Sequence, residues 1–401
     1  MVCFAYKVKD DKGKEYQGYV DASTKKDAIQ KLNQAGFYLT SIQKARLNKF
    51  QFLGAKKVTK ADLTLFARQF ASMINAGIPL VKALYAVSEE TENITLKKIL
   101  NEIRSEVESG HGVSDAMVKH PDVFSPFFIS LIKTGETAGL LDKMLERLAI
   151  YLEKEEDLSR KVKTAFMYPI IVMTVALTVV TYLLIFVVPV FQSVYKSMHV
   201  NLPGPTIALI AMSKFVRFYW WIIAGALVII LATYIQLSRM AKGQVIIDKF
   251  KLSMPVFGRL NKKVAVSRFI RSFAAMFASG IHISKALEVS AATADNKVIS
   301  GLIEEMERSI NRGENITKPL KRNKIFPSTV IQMISAGEES GALDTMLEKS
   351  ADFLDQDVDV IIKRMVIKIE PLLTFMLAFV VGFIALAIYL PMFDVIRQIT
   401  K

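Results

Sequence analysis

Hydrophobic and polar positions divide this chain into long apolar runs and stretches of helical periodicity. Three apolar runs contain no charged residue. A helix of about 20 apolar residues crosses a hydrocarbon core of about 30 Å, and one Lys or Asp at mid-bilayer would cost ~2.5–3.5 kcal/mol. The alternative is a buried helix of a soluble protein, but such helices usually keep a polar face, which these runs lack. We therefore predict three transmembrane helices, at 165–192, 218–238 and 371–393.

Outside these runs, apolar residues recur every three or four positions, as on one face of an α-helix. Thr59 followed by Asp62 is a weak capping box that opens the first such helix, and Gly77 ends it. Further helices follow with glycines and prolines between them. The pattern predicts two helical-bundle domains, at 59–164 and 239–370.

The two bundles are copies of one unit. Residues 66–84, F-A-R-Q-F-A-S-M-I-N-A-G-I-P-L-V-K-A-L, match 269–287, F-I-R-S-F-A-A-M-F-A-S-G-I-H-I-S-K-A-L, at ten of nineteen positions. Residues 135–147, G-E-T-A-G-L-L-D-K-M-L-E-R, match 337–349, G-E-E-S-G-A-L-D-T-M-L-E-K, at eight of thirteen. The offset changes only from 203 to 202, so the repeated unit is a bundle plus the membrane helix that leaves it.

Residues 1–43 have a different pattern, which predicts a small mixed module. Strands are expected at Phe4–Val8, Tyr16–Val20 and Phe37–Ile42, because apolar residues alternate there and turn residues separate them. A short helix is expected at Lys25–Gln34. The first residues lack an apolar run of the kind found in signal peptides. The chain as a whole is thus expected to be an all-α integral membrane protein with two repeated cytoplasmic helical bundles and a small N-terminal α+β module.

Composition adds a strong basic excess, a net charge of +14 over 401 residues. The single Cys3 excludes a disulfide framework and a cysteine-based zinc site, and favours a cytosolic setting for the soluble parts. Part of the excess lies in a basic linker, 44–58, and in the residues just after it. Without stacking aromatics or a nucleic-acid motif, we expect contact with anionic lipid near residues 44–60 and no nucleic acid; a solvated linker is the alternative. The cations concerned are Lys44, Arg46, Lys49, Lys56, Lys57 and Lys60.

The distribution of Lys and Arg around the spans predicts orientation. Cations are dense before the first span, after the second and before the third, and sparser at the other ends. The positive-inside rule then puts the N-terminus and both bundles in the cytoplasm. The loop at 193–217 and the tail at 394–401 are expected outside, giving a multi-pass protein of the inner membrane.

No catalytic or cofactor motif accompanies this architecture. A phosphate-binding G-x-x-x-x-G-K-[ST] and a zinc-binding H-E-x-x-H are both absent, and the four histidines are scattered. Acidic side chains around the repeated G-E turns present either a divalent cation site or, as we favour, a solvated or partner-facing surface. A transporter is disfavoured because the spans lack ionisable residues, and a membrane-bound enzyme because no acid, base and ligand set converges. We predict no enzyme, cofactor or metal. The acids are Glu136, Asp142, Glu146, Glu338, Glu339, Asp344 and Glu348.

These features together resemble the inner-membrane platform family of type IV pilus and type II secretion systems. The duplicated bundle with G-E-x-x-G-x-L turns resembles that family, as does the run from Lys161 through Tyr168-Pro169 to Val187-Val188-Pro189. The second copy departs from it with Glu370-Pro371 where the first has Tyr168-Pro169. The N-terminal residues that carry the likeness are Phe4, Tyr6, Gly13, Gly18, Asp21-Ala22-Ser23, Ala28 and Gly36.

The resemblance implies a non-enzymatic role at the centre of an assembly machine. Its expected partners are a cytoplasmic hexameric motor ATPase, pilin or pseudopilin subunits, other inner-membrane assembly proteins, and further copies of the chain in a homo-oligomer. Candidate contacts with the motor are Arg68, Glu136, Arg271 and Glu338, charged residues repeated within apolar or glycine-rich motifs. The alternative for each is a salt bridge or helix cap within its own bundle.

Overall fold

The computed structural model describes most of the chain: residues 2–9, 15–22, 38–44, 57–197, 202–254, 257–322 and 325–399, with Lys25 and Ile29. Almost all of the predicted helix at Lys25–Gln34 and most of the predicted linker at 44–58 lie outside these residues.

The N-terminal strands form a three-stranded sheet in the order β2-β1-β3, antiparallel throughout. In the strand register, Phe4 of β1 is paired with Val20 of β2 on one side and with Lys44 of β3 on the other. The register on the β3 side shifts between Lys7 and Val8. All three predicted strands are confirmed, with bounds β1 Val2–Lys9, β2 Glu15–Ala22 and β3 Tyr38–Lys44.

The first bundle begins at the predicted capping box. The Thr59 hydroxyl accepts a hydrogen bond from the Asp62 amide, and the Asp62 carboxylate accepts one from the Thr59 amide. The side chains of Asn93 and Ser125 also accept hydrogen bonds from the first amides of later helices. The helices are α1 Lys60–Asn75, α2 Leu80–Glu90, α3 Ile94–Glu108, α4 Val113–Val118, α5 Pro126–Ala138 and α6 Leu141–Tyr182.

Aromatic packing at the repeated Phe positions builds the core of this bundle. Phe66 stacks on Phe70 with ring centroids 5.5 Å apart and on Phe128 at 6.3 Å, and Phe124 meets Phe128 edge-on at 5.0 Å. All four rings are buried. Phe66 and Phe70 are identical in the two copies of the repeat, as Phe269 and Phe273, and they form the centre of this core.

The second copy repeats this arrangement after two connecting helices. Phe269 stacks on Phe273 at 5.8 Å and meets Phe326 edge-on at 6.0 Å. The remaining elements are a π-helix Leu183–Val187, α7 Val188–Ser197, α8 Gly204–Arg239, α9 Ala241–Ser253, α10 Phe257–Ala278, α11 Ile283–Thr293, α12 Lys297–Asn311, α13 Thr317–Arg322, α14 Ser328–Ser340 and α15 Leu343–Ile399.

Three helical stretches are long and apolar enough to cross a membrane: Leu141–Ser197, Gly204–Arg239 and Leu343–Phe393. The first and third start inside a bundle and leave it without a break. The segment expected as a loop, 193–217, is helical up to Ser197 and again from Gly204. Pro205 lies in the first turn of α8, where its missing N–H and fixed φ are tolerated.

The two bundles lie side by side, with α6 against α15 and α10, and α5 against α11. One hydrophobic cluster runs through both bundles. A second apolar cluster joins the two long helices to each other and to the start of α10, at Leu158, Leu260, Val358, Ile362 and Met365.

Candidate functional site

The repeated G-E turn of the first bundle holds Glu136 over the start of α4. Its carboxylate accepts hydrogen bonds from the amides of Val113 and Ser114, the latter at 3.0 Å. The first amides of a helix lack intrahelical acceptors, and negative charge is favourable there. Since Gly112 at the N-cap has no side chain to accept those bonds, Glu136 caps α4 from the neighbouring helix.

Glu338 does the same in the second bundle. Its carboxylate accepts from the Ile316 amide at 2.8 Å, from the Thr317 amide at 3.4 Å, and from the Thr317 hydroxyl. The two turns are therefore equivalent in contact as well as in sequence.

The glycines of these turns have separate tasks. A Cβ on Gly135 would lie 2.9 Å from Met144 Cγ, and one on Gly337 would lie 2.7 Å from Met346 Cβ. The last turn of α5, and likewise of α14, is therefore in close contact with the long helix that follows it. Gly139 and Gly341 end their helices with φ of 67° and 73°, the left-handed region that favours glycine. Each copy of the motif therefore contains a glycine at a close helix contact, a glutamate that caps a short helix, and a glycine that ends its own helix.

Arg68 connects α1 by ion pairs to the N-terminal part of the long helix α6. Its guanidinium lies 2.6 Å from Glu153 and 2.7 Å from Glu146. The hydrogen bond from Arg68 lowers the pKa of the Glu153 carboxyl, against the opposing effect of its partial burial.

Arg271 makes the equivalent tie in the second copy. Its guanidinium contacts Asp352 at 2.8 Å and also Asp355. Burial disfavours the charged form of Arg271. The charge of Asp355 and the hydrogen bonds to both carboxylates outweigh that effect and raise the pKa of the Arg271 guanidinium. All four sequence-predicted residues are thus engaged within their own bundles, and they do not converge on one site. Within the described part of the chain, no group of three or more His, Cys, Asp or Glu side chains is placed to hold a metal ion.

A charged contact between the bundles was not found from the sequence. Arg268 Nε lies 3.1 Å from Glu155 of the first bundle, and Lys60 reaches the same carboxylate at 2.7 Å. Lys263 and Asp357 repeat the Lys60–Glu155 pair. Arg268, however, stands where the first copy has Leu65, and this departure from the repeat was the available signal.

Nearer to the apolar runs, Lys161 of α6 forms a salt bridge with Asp359 of α15, with an N–O distance of 2.7 Å. Between the bundles lies a cavity of about 370 Å³. Phe127 and Tyr151 line it, with ring centroids 4.1 Å apart, and burial raises the pKa of the Tyr151 hydroxyl. We call this interface, from the cavity to the Lys161–Asp359 pair, the seam. It couples the two copies along the part of each long helix that precedes its apolar run.

Comparison with known proteins gives a consistent picture. The profile described as "Type II secretion system (T2SS), protein F" matches residues 66–189 and 269–391, and the one for the N-terminal domain of that protein matches 1–43. The chain is 39% identical to the type IV pilus assembly protein PilC of Myxococcus xanthus over 98% of this chain and 94% of the relative. It is 35% identical to PilC of Thermus thermophilus over the full length of both. It is 28% identical to the type II secretion system protein F of Vibrio cholerae over 98% of each.

Proposed function

This chain belongs to the type II secretion system protein F family, and from that membership we propose that it is the inner-membrane platform of a type IV pilus or type II secretion-like machine. In this role it couples a cytoplasmic assembly ATPase to the insertion or extraction of pilin-like subunits. The platform does this mechanically and catalyses no reaction of its own.

One observation carries the mechanism: each bundle is continuous with a span. Leu141–Tyr182 runs unbroken from the first bundle into the first span, and Leu343–Ile399 does so for the second. A rigid helix transmits rotation or displacement along its length. Movement of the bundles relative to each other across the seam therefore moves the two apolar helices.

The bundles are proposed to face the cytoplasm, where the motor is. The Lys and Arg clusters beside the bundles support this orientation, which puts the C-terminal tail outside. The basic residues near 44–60 then lie on the same side as anionic lipid headgroups.

The other partners follow from the same role: pilin or pseudopilin subunits beside the spans, other inner-membrane assembly proteins, and further copies in a homo-oligomer. Nucleic acid is not among them. No charged side chain lies within 165–192, 218–238 or 371–393, which disfavours a transporter. Among the described residues, no observation favours an enzyme.

Labelling of engineered cysteines tests the orientation. Ala138 and Ser340 are exposed, equivalent positions of the two bundles, and Lys214 is an exposed position that the proposed orientation puts on the other side of the membrane. With Cys3 replaced by Ser, Lys214→Cys should react with an impermeant maleimide in spheroplasts. Ala138→Cys and Ser340→Cys should react only after lysis. Labelling of positions 138 and 340 on opposite sides would overturn the proposal.

The motor contact is proposed at the surfaces that Arg68, Glu136, Arg271 and Glu338 shape. Glu136→Gln and Glu338→Gln remove charge but keep the side-chain size and one acceptor. If the carboxylates contact the motor, both variants should lose co-purification with the ATPase while the bundles stay folded. Glu102→Gln, at an exposed carboxylate 3.9 Å from Lys98, is the matched control. Unchanged co-purification and filament assembly would remove the two carboxylates from the contact.

A further inference from the structure

The three spans meet at one end around two prolines in equivalent positions of the two copies. Pro189 in α7 and Pro391 in α15 are 202 residues apart, the same offset as the G-E turns. Proline has no N–H, so each removes the donor for one backbone carbonyl in the preceding turn. A buried carbonyl cannot take the missing hydrogen bond from water either.

In α15 the carbonyl concerned is that of Ala387, four residues before Pro391. The Thr206 hydroxyl of α8 donates a hydrogen bond to this oxygen at 2.6 Å. Both residues are buried. The hydroxyl therefore replaces the bond that Pro391 cannot make.

In the first span, the π-helix moves the affected carbonyl by one residue. The Val188 N–H donates to the carbonyl of Leu183, five residues back. With the same spacing, the donor for Leu184 would be Pro189, which has none. The buried Ser213 hydroxyl of α8 donates to the Leu184 carbonyl instead.

Both hydroxyls belong to α8, the span with no counterpart in the repeat. Thr206 and Ser213 are seven residues apart, about two turns, and so lie on one helix face. Beyond this region α8 stands apart, because every side chain from 217 to 236 is exposed. Tyr195 of α7 adds a third bond, to the Ile388 carbonyl at 2.6 Å.

We propose that Thr206 and Ser213 are positioning residues that hold the unrepeated helix to both repeated spans by replacing the hydrogen bonds lost to Pro391 and Pro189. The inference does not rest on the proposed function, because its test measures stability alone.

The test is a pair of double-mutant cycles on the full-length protein in mild detergent, unfolded with SDS. Trp220 and Trp221 are the chain's two tryptophans and both lie on α8, so their fluorescence reports on this helix. Thr206→Val and Ser213→Ala should each lower the folded-to-unfolded ratio about 3- to 15-fold, as interhelical hydrogen bonds in membranes do. Pro391→Ala restores an N–H for Ala387. In that background Thr206→Val should cost less than about 2-fold.

The reciprocal pair is Ser213→Ala in Pro189→Ala. The crossed pairs, such as Thr206→Val in Pro189→Ala, should remain additive. Thr178→Val and Ser193→Ala are matched controls, because these exposed hydroxyls bond only to their own helices; they should change the ratio less than about 2-fold. Equal costs with and without the proline would overturn the proposal, as would no cost in the native background. If Thr206→Val alone does not fold, recovery by Pro391→Ala supports it and failure to recover refutes it.

Discussion

The charged residues repeated between the two copies act first on their own bundles. Arg68 and Arg271 each bind two carboxylates of the adjoining long helix, and Glu136 and Glu338 each cap a short helix. Their repetition follows from a need that both bundles share: the start of a short helix needs an acceptor, and the long helix needs a tie. If these four residues also contact the motor, they must do so while keeping their ion pairs and helix caps within the bundles.

The pH dependence of stability tests the Arg68 tie. The folded state lowers the Glu153 pKa, so the pair contributes stability above the unfolded pKa of about 4.3, and this contribution is lost as the pH falls through the folded pKa. Glu153→Gln should therefore show a smaller loss of unfolding free energy than the native protein between about pH 6 and about pH 3. Denaturant titrations at a series of pH values measure it. Because Glu153 is partly exposed, salt should reduce the difference; parallel curves would show that the pair adds no stability.

Individual elements are positioned by glycines that let helices touch. Gly337 in α14 lies against Met346 and Leu343 of the long helix that follows it. Gly301, on the exposed face of α12, has no atom within 4 Å of the place where a Cβ would stand. Two helical glycines in one bundle are thus under opposite constraints.

Gly337→Ala should destabilise the protein, because its Cβ would lie 2.7 Å and 2.9 Å from side-chain atoms of Met346. Overpacking of this kind costs ~1–3 kcal/mol. Gly301→Ala is the control and should stabilise by ~0.5–1 kcal/mol, since alanine favours the helix. Thermal unfolding monitored by circular dichroism measures both. A neutral Gly337→Ala would mean that the two helices separate at little cost.

The whole molecule is two copies joined by an asymmetric seam. The long helices α6 and α15, which are equivalent, pack against each other, but α5 and α6 of the first copy also contact α11 and α10 of the second. In this second part of the seam the two copies use different elements. Arg268 belongs to this contact, whereas the equivalent Leu65 is exposed. The duplication therefore did not produce two interchangeable domains.

Arg268→Leu gives the second copy the residue of the first. Glu155 then keeps Lys60 but loses its partner across the seam, and we expect a loss of ~1–3 kcal/mol from that contact. Spin labels on Ala138→Cys and Ser340→Cys should show a broader distance distribution, with helix content unchanged. Arg160→Leu, which removes an exposed pair within α6, should leave the distribution as it is. An unchanged distribution in Arg268→Leu would assign the seam to apolar packing alone.

The sequence by itself determined most of the elements and their repetition; the segment 193–217, expected as a loop, is an exception, because it is helical up to Ser197 and again from Gly204. Helical spacing, capping residues and charge-free runs are local signals, and the match between 66–84 and 269–287 fixes which parts are equivalent. The same signals indicated four repeated charges at 68, 136, 271 and 338, but not which groups they bind.

Only the tertiary structure decided those partners. Glu136 meets an amide 22 residues away, Glu155 meets Arg268, and Thr206 meets Ala387. Such contacts depend on the angle at which whole helices cross, and spacing along the chain contains no information about that angle. The junction of the spans is the clearest case. No sequence pattern links a proline in one helix to a hydroxyl in another, and only the packing of the helices brings the two together.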